Sequence, residues 1–209
     1  MKQNQINLSI LSRMFDELAE QGWSQSHDLV SVEWARSLAL QCQNLYEQGR
    51  FAPAAVGFRQ TKSVQTQIRG DSILWVEDAG VPSLQNDVNE FLQTLQDEMN
   101  QALYLGLKRF EAHFALYPPG RGYEKHIDNH TGLSHRRITF VFYLNENWQK
   151  SHGGALTLFD PLETHERIQT IEPRLGNFIL FRSELFPHQV EESFETRKSL
   201  TGWFRDDAL

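Results

Sequence analysis

Four residues of this chain have types and spacings that could do chemistry together: His126, Asp128, His188 and Arg197. His126-Ile127-Asp128 places an imidazole and a carboxylate two apart, so on a strand both would point to one face and could share one metal ion. The pair alone says little. With 8 His and 10 Asp among 209 residues, roughly 0.4 such pairs arise by chance. The weight comes from two residues further along the chain. His188 lies in Leu185-Phe186-Pro187-His188-Gln189-Val190, just after a strand-like run ending at Phe181, and Arg197 comes nine residues later at the entry to a last strand. Two His and one carboxylate on one side of an iron leave three coordination positions open. A 2-oxoacid fills two of them and O2 the third. The far carboxylate of such a ligand then needs a fixed cation, for which the planar fork of arginine is better suited than lysine.

Each residue also has a plainer reading. A lone histidine is more often a satisfied surface or core residue, and His27, His113, His130, His135, His152 and His165 are read that way. Arg197 by itself would be a surface ion pair, worth little. Zinc also takes two His and a carboxylate, but the His-Glu-x-x-His of the hydrolytic zincins is missing, as is the His-x-His of cupin-type sites. Cys42, the one cysteine, sits in a helical stripe with nothing nearby to lower its pKa, and reads as a small core residue.

The elements that must position these groups divide the chain in two. Leu8, Leu11, Phe15 and Leu18 recur at helical spacing up to a stop at Gly22; Trp34, Leu38, Cys42 and Leu45 form a second stripe ending near Gly49. A third, Val88, Phe91, Leu92, Leu95, Met99 and Leu103, follows Asn86 as a candidate N-cap and ends at Gly106. Between the second and third, residues 67–77 mix β-formers with Gly70-Asp71 and read as a hairpin or finger loop. From Phe110 the period changes to that of strands, at 110–116, 138–144, 155–159, 178–181 and 200–204, with Pro and Gly turns between. Short strands after a helical segment predict an α+β chain: a double-sheet jelly roll over 107–206, supported by residues 1–106, in one domain. The net charge of -7 shows no basic nucleic-acid footprint. A single cysteine allows no internal disulfide and fits a reducing cytosol, and neither a signal peptide nor a membrane span is read. A cytoplasmic monomer with no membrane partner is expected.

Several linked motifs in order carry a more specific resemblance. They are Ile68-Arg69-Gly70-Asp71 with Trp75; Tyr117-Pro118; Gly122-Tyr123; His126-Ile127-Asp128-Asn129; Tyr143-Leu144-Asn145 with Trp148; Gly153-Gly154; and His188-Gln189-Val190 leading to Thr196-Arg197 and Trp203-Phe204. From about residue 60 to 206 the chain resembles the prolyl 4-hydroxylases of the 2-oxoglutarate oxygenase superfamily. It looks closest to the oxygen-sensing hydroxylases of hypoxia-inducible factor and their bacterial relatives. The loop from Pro118 to His126 is one residue shorter than in the animal oxygen sensors, and Gln189 and Glu191 replace other residues there.

The resemblance implies a double-stranded β-helix form of the jelly roll, and an Fe(II)- and 2-oxoglutarate-dependent dioxygenase that hydroxylates C4 of a proline in a protein, with O2 as cosubstrate and ascorbate as reductant. It implies His126, Asp128 and His188 as iron ligands. Arg197 and Tyr143 would hold the distal carboxylate of 2-oxoglutarate, with Tyr117, Thr201 and Trp203 in the pocket wall. Arg69, Gly70 and Asp71 would lie in a loop over the substrate, with Arg136 pairing Asp71. Tyr143 and Trp203 also fit as core aromatics, and Arg69/Asp71 as a turn-stabilising pair. Elongation factor Tu is the substrate implied if the source is bacterial. Two alternatives stay open: an oxygenase of the same class acting on another substrate, and a binding module that keeps the fold without turnover. The Arg-x5-Arg spacing of the branch acting on alkylated nucleic acids is not matched by Arg197 and Arg205.

Overall fold

The computed structural model describes residues 6–54, 69–129 and 135–208. Three helices form: α1 Leu8–Gln21, α2 Val32–Glu47 and α3 Pro82–Leu103. Asn7 caps α1 by accepting from the Ile10 N–H (3.3 Å), and Ser31 caps α2 by accepting from Trp34 (3.3 Å). Helix α1 stops at Gly22, whose φ of 81° suits a residue without Cβ. A Cβ there would also meet the Phe186 ring at 2.9 Å, next to the segment that carries His188. Helix α3 starts before the expected cap: Pro82 at its first turn sets φ, and Asn86 lies inside the helix. Leu8 belongs to the first stripe in sequence but faces solvent, and Met14 takes its place in the core.

Eleven strands follow in chain order: β1 Trp23–Ser26, β2 Ala52–Pro53, β3 Ser72–Trp75, β4 Arg109–Tyr117, β5 Arg121–His126, β6 Arg136–Tyr143, β7 Leu156–Phe159, β8 Arg167–Ile171, β9 Phe178–Arg182, β10 His188–Ser193 and β11 Arg197–Arg205. They make a seven-stranded sheet, β1-β9-β6-β11-β4-β3-β2, and a four-stranded sheet, β5-β10-β7-β8, with antiparallel pairing throughout. Part of the region read as a hairpin or finger loop is strand. Ser72–Trp75 is one strand of the large sheet, between β2 and β4, and a 3-10 turn follows it. Gln67 and Ile68 lie outside the described residues, as does His130.

Strand alternation sorts the large sheet into two faces. Phe114, Phe140, Phe142, Phe178, Leu180, Leu200 and Phe204 pack on the helices in one apolar cluster with Leu92, Leu95 and Met99. Burying each such side chain contributes about 1.5–3 kcal/mol. The residues between them, Ala115, Tyr117, Val141, Tyr143, Ile179 and Phe181, face the small sheet and pack on Leu156, Leu158 and Val190. The chemistry-bearing side chains sit in this space between the sheets. No described helix is long and apolar enough to cross a membrane.

Candidate active site

The small sheet brings the two histidines together. His126 ends β5, His188 opens β10, and the two are direct cross-strand partners. Asp128 is not on a strand: β5 stops at His126 and Asp128 follows in a turn. The convergence therefore comes from the turn and not from strand alternation. The turn is tied down by Asn129, whose N–H donates to Ser183 O (3.2 Å) and whose side-chain amide donates to Arg136 O (3.1 Å). The Asp128 carboxylate accepts from Thr139 Oγ1 (2.8 Å), which is itself 2.9 Å from Ser183 Oγ.

His126 Nε2 lies 3.6 Å from one Asp128 oxygen and His188 Nε2 lies 3.6 Å from the other. The three ligand atoms fall within 4.8 Å of one another, the spacing of a set that can hold one metal ion. Both Nδ1 atoms face backbone carbonyls, His126 that of Glu124 (2.7 Å) and His188 that of Phe186 (3.0 Å). Donating Nδ1–H to those carbonyls leaves each Nε2 as a bare acceptor aimed at the centre, the tautomer a metal requires. Burial, with His126 beside it, lowers the His188 pKa to about 4 against the pull of Asp128, so the ring is neutral at pH 7. Burial alone would raise the Asp128 carboxyl; His188, His126 and the Trp203 indole outweigh it and hold it well below the usual carboxylate range.

Arg197 supplies the second half. It is 2 % exposed, and among the described residues no carboxylate pairs with it. Its Nε donates to Gly154 O (2.8 Å). The rings of Tyr117 and Tyr143 lie 5.0 and 5.1 Å from the guanidinium carbon. Gly154 has φ 66°, and a Cβ on it would stand 3.2 Å from Arg197 Cδ, so the close approach needs glycine. Among the described residues the buried Tyr143 hydroxyl has no hydrogen-bond partner, and burial, against Arg197, pushes its pKa up to about 12. A buried cation without an anion beside an orphaned O–H donor is the arrangement a carboxylate would complete.

The chain is similar to known proteins. The model of the 2OG-Fe(II) oxygenase superfamily matches residues 112–205. Prolyl hydroxylase EGLN3 of Homo sapiens is 33 % identical over 180 residues, 80 % of this chain and 69 % of that protein. A Pseudomonas putida prolyl-4-hydroxylase structure is 37 % identical, with TM-score 0.82 over 95 % of this chain and all of the other. This chain belongs to the 2-oxoglutarate/Fe(II) prolyl hydroxylases. The Trichoplax adhaerens prolyl hydroxylase, solved with a peptide of the hypoxia inducible factor oxygen degradation domain, is 25 % identical with TM-score 0.84 over 98 % of this chain and 94 % of that one. The α+β fold with jelly-roll sheets is that of these hydroxylase structures.

The remaining expected residues of this hydroxylase fall around the same space. Thr201 and Trp203 lie on the inner face of β11 beside Ser199, and Thr201 Oγ1 donates to Phe140 O (2.8 Å). Gly70 donates its N–H to Gly122 O (3.0 Å), and Arg69 bridges Tyr123. The Arg69 guanidinium lies over the Tyr123 ring, which stacks on His126 at 3.7 Å. The pairing expected of Arg136 is corrected. Asp71, 4 % exposed, is gripped at both oxygens by Arg69 (2.7 and 3.0 Å). Arg136 Nε instead donates to Glu111 (2.7 Å), and its guanidinium covers the Trp203 ring at 3.4 Å. Arg69 wins because it is two residues from Asp71, whereas Arg136 starts β6 and meets Glu111 of β4 across β11.

Thr139 in an apolar strand and Ser183 in the turn after one, which hold the Asp128 turn, are missed by sequence reasoning because a lone Thr or Ser there carries no signal of its own. Among the other histidines, His27, His135 and His165 are exposed and His152 half-buried, as expected. Cys42 is buried and its thiol is pushed up to about 12, as befits a core residue.

Proposed function

We propose that this hydroxylase oxidises C4 of a proline in a protein chain, with Fe(II) held by His126, Asp128 and His188 and 2-oxoglutarate anchored by Arg197 and Tyr143. The observation that carries the site assignment is Arg197: buried, without an acid partner, and beside the unpaired Tyr143 hydroxyl. When bound, iron with 2-oxoglutarate and O2 supplies the oxidation, placing one oxygen atom on the proline and one in succinate, with loss of CO2. The protein's own residues position and exclude water. Thr139 orients Asp128, the Glu124 and Phe186 carbonyls fix both imidazole tautomers, and the Arg197 fork with the Tyr143 hydroxyl gives a 2-oxoacid one orientation. Tyr117, Thr201 and Trp203 wall the pocket. Arg69, Gly70 and Asp71, with Arg136, form the side on which a peptide would lie, since Arg69 lies over Tyr123, which stacks on His126. A protein substrate is in keeping with the peptide bound to the Trichoplax relative.

Elongation factor Tu is the first substrate to assay if the source is bacterial. The test incubates purified protein with Fe(II), ascorbate and 2-oxoglutarate and follows succinate release. Mass spectrometry then reads candidate substrates for a proline heavier by about 16 Da, one oxygen atom. Oxidation at another residue type would overturn the prolyl assignment and leave the iron site standing.

A further inference from the structure

His113 is a core residue, as its sequence context predicts, but it is not a satisfied one. It is 1 % exposed, yet among the described residues neither Nδ1 nor Nε2 has a hydrogen-bond partner. Leaving a buried polar atom unpaired is costly, and this ring carries two. It is also held in place. The Trp75 ring lies 4.9 Å away, inclined at 61°, and the Trp203 ring 5.6 Å away at 36°. Burial, with the Arg69 and Arg136 cations and against Asp128, lowers its pKa to about 3. The imidazole is therefore neutral, with one N–H donor and one bare acceptor.

The strand register says what surrounds it. His113 stands opposite Thr201 on β11 and Trp75 on β3, and Trp203 is the next residue along the same face of β11. Thr201 Oγ1 gives its proton to Phe140 O, which leaves the oxygen free to accept. The Trp203 indole N–H is directed at the Asp128 carboxylate and lowers its pKa as a hydrogen-bond donor does, yet it lies outside ordinary hydrogen-bond geometry, which leaves room for a bridging partner. One wall thus gathers a donor, an acceptor and a ring that is both. A buried water needs two to four such partners.

We propose that His113 is a positioning residue for the hydroxylation: with Thr201 Oγ1 and Trp203 Nε1 it holds an ordered water in the pocket wall beside Asp128, and that water orients the oxygen ligands on the open side of the iron. The inference rests on the metal assignment above. Losing that water would loosen the link between oxidation of 2-oxoglutarate and oxidation of proline. Succinate would then form without hydroxyproline, the unused oxygen atom being reduced to water by two electrons from ascorbate.

The experiment combines a crystal structure with Mn(II) and an unreactive 2-oxoglutarate analogue, and two variants. An oxygen within about 3.2 Å of a His113 ring nitrogen is expected. Manganese at the triad with both ring nitrogens facing only carbon overturns this inference alone; manganese bound elsewhere overturns the metal assignment and this inference with it. His113→Leu should lower kcat by up to about tenfold, as for one lost hydrogen bond, and raise the succinate-to-hydroxyproline ratio above one, with Mn(II) affinity and the 2-oxoglutarate KM within about twofold of wild type. His113→Gln, which keeps a donor and an acceptor, should recover most of both. Unchanged kcat and ratio in His113→Leu, or no recovery in His113→Gln, would refute the role.

Discussion

The two faces of the large sheet are made from the same strands and do opposite work. Toward the helices, β11 presents Leu200 and Phe204, both fully buried among Phe114, Phe140, Phe142 and Phe178. Toward the small sheet the same strand presents Arg197, Ser199, Thr201 and Trp203. The sheet residues that carry buried polar atoms without partners, Arg109, His113, Tyr143 and Trp203, all alternate with the helix-facing positions. One face is packed for stability. The other keeps a buried guanidinium and several unmet hydrogen bonds, a cost the free protein bears so that a charged ligand finds its partners already in place.

Separate substitutions should pull the two faces apart. Asp128→Ala should reduce succinate and hydroxyproline formation to background while the metal-free Tm falls only modestly, since the folded protein favours the charged carboxylate; retained turnover would remove Asp128 from the metal site. Phe140→Ala, on the helix face, should do the reverse. It should cost about 3–5 kcal/mol in denaturant unfolding, with kcat of the folded fraction kept. A large kcat loss there would show that the faces are not separable. Arg197→Lys keeps the charge but loses the fork. It should raise the 2-oxoglutarate KM by about ten- to a hundredfold, equivalent to about 1.5–3 kcal/mol, with kcat at saturation much less affected. An unchanged KM would place the distal carboxylate elsewhere.

How legible these faces are in the sequence follows from their composition. Strands β6 and β9 carry near-continuous apolar runs, since both faces are buried, and they stand out. Strand β5, Arg-Gly-Tyr-Glu-Lys-His, is a largely exposed edge, and β1 is Trp-Ser-Gln-Ser; neither has a readable period. Strands β8 and β10 are short and mixed, and their pairing is set by tertiary contacts. In the site, His126, Asp128, His188 and Arg197 are visible as a spaced set because few other chemistries use it. The reason Asp128 converges is not visible, because it lies in a turn that Thr139 and Ser183, from distant segments, hold through Asp128 and Asn129. The Arg69–Asp71 pair shows the same limit: sequence motifs name the charges, and geometry decides which two meet.

The smallest expected difference between the faces is in acid. His113 and His188 have pKa values lowered to about 3 and 4 in the folded protein, against an ordinary value of 6.5. Between those limits the unfolded chain binds more protons than the folded one, so stability rises with pH and falls as pH drops below about 6.5. The helix face holds no such group among the sheet residues, and its packing is insensitive to pH. Metal-free protein should therefore show a Tm that declines from pH 7 to pH 5, and His113→Leu, which deletes one of the two buried imidazoles, should decline less steeply. Phe140→Ala should lower the whole curve and keep the wild-type slope. Equal slopes for wild type and His113→Leu would mean that the folded protein protonates His113 as readily as the unfolded chain does, and that its ring is not held neutral by burial.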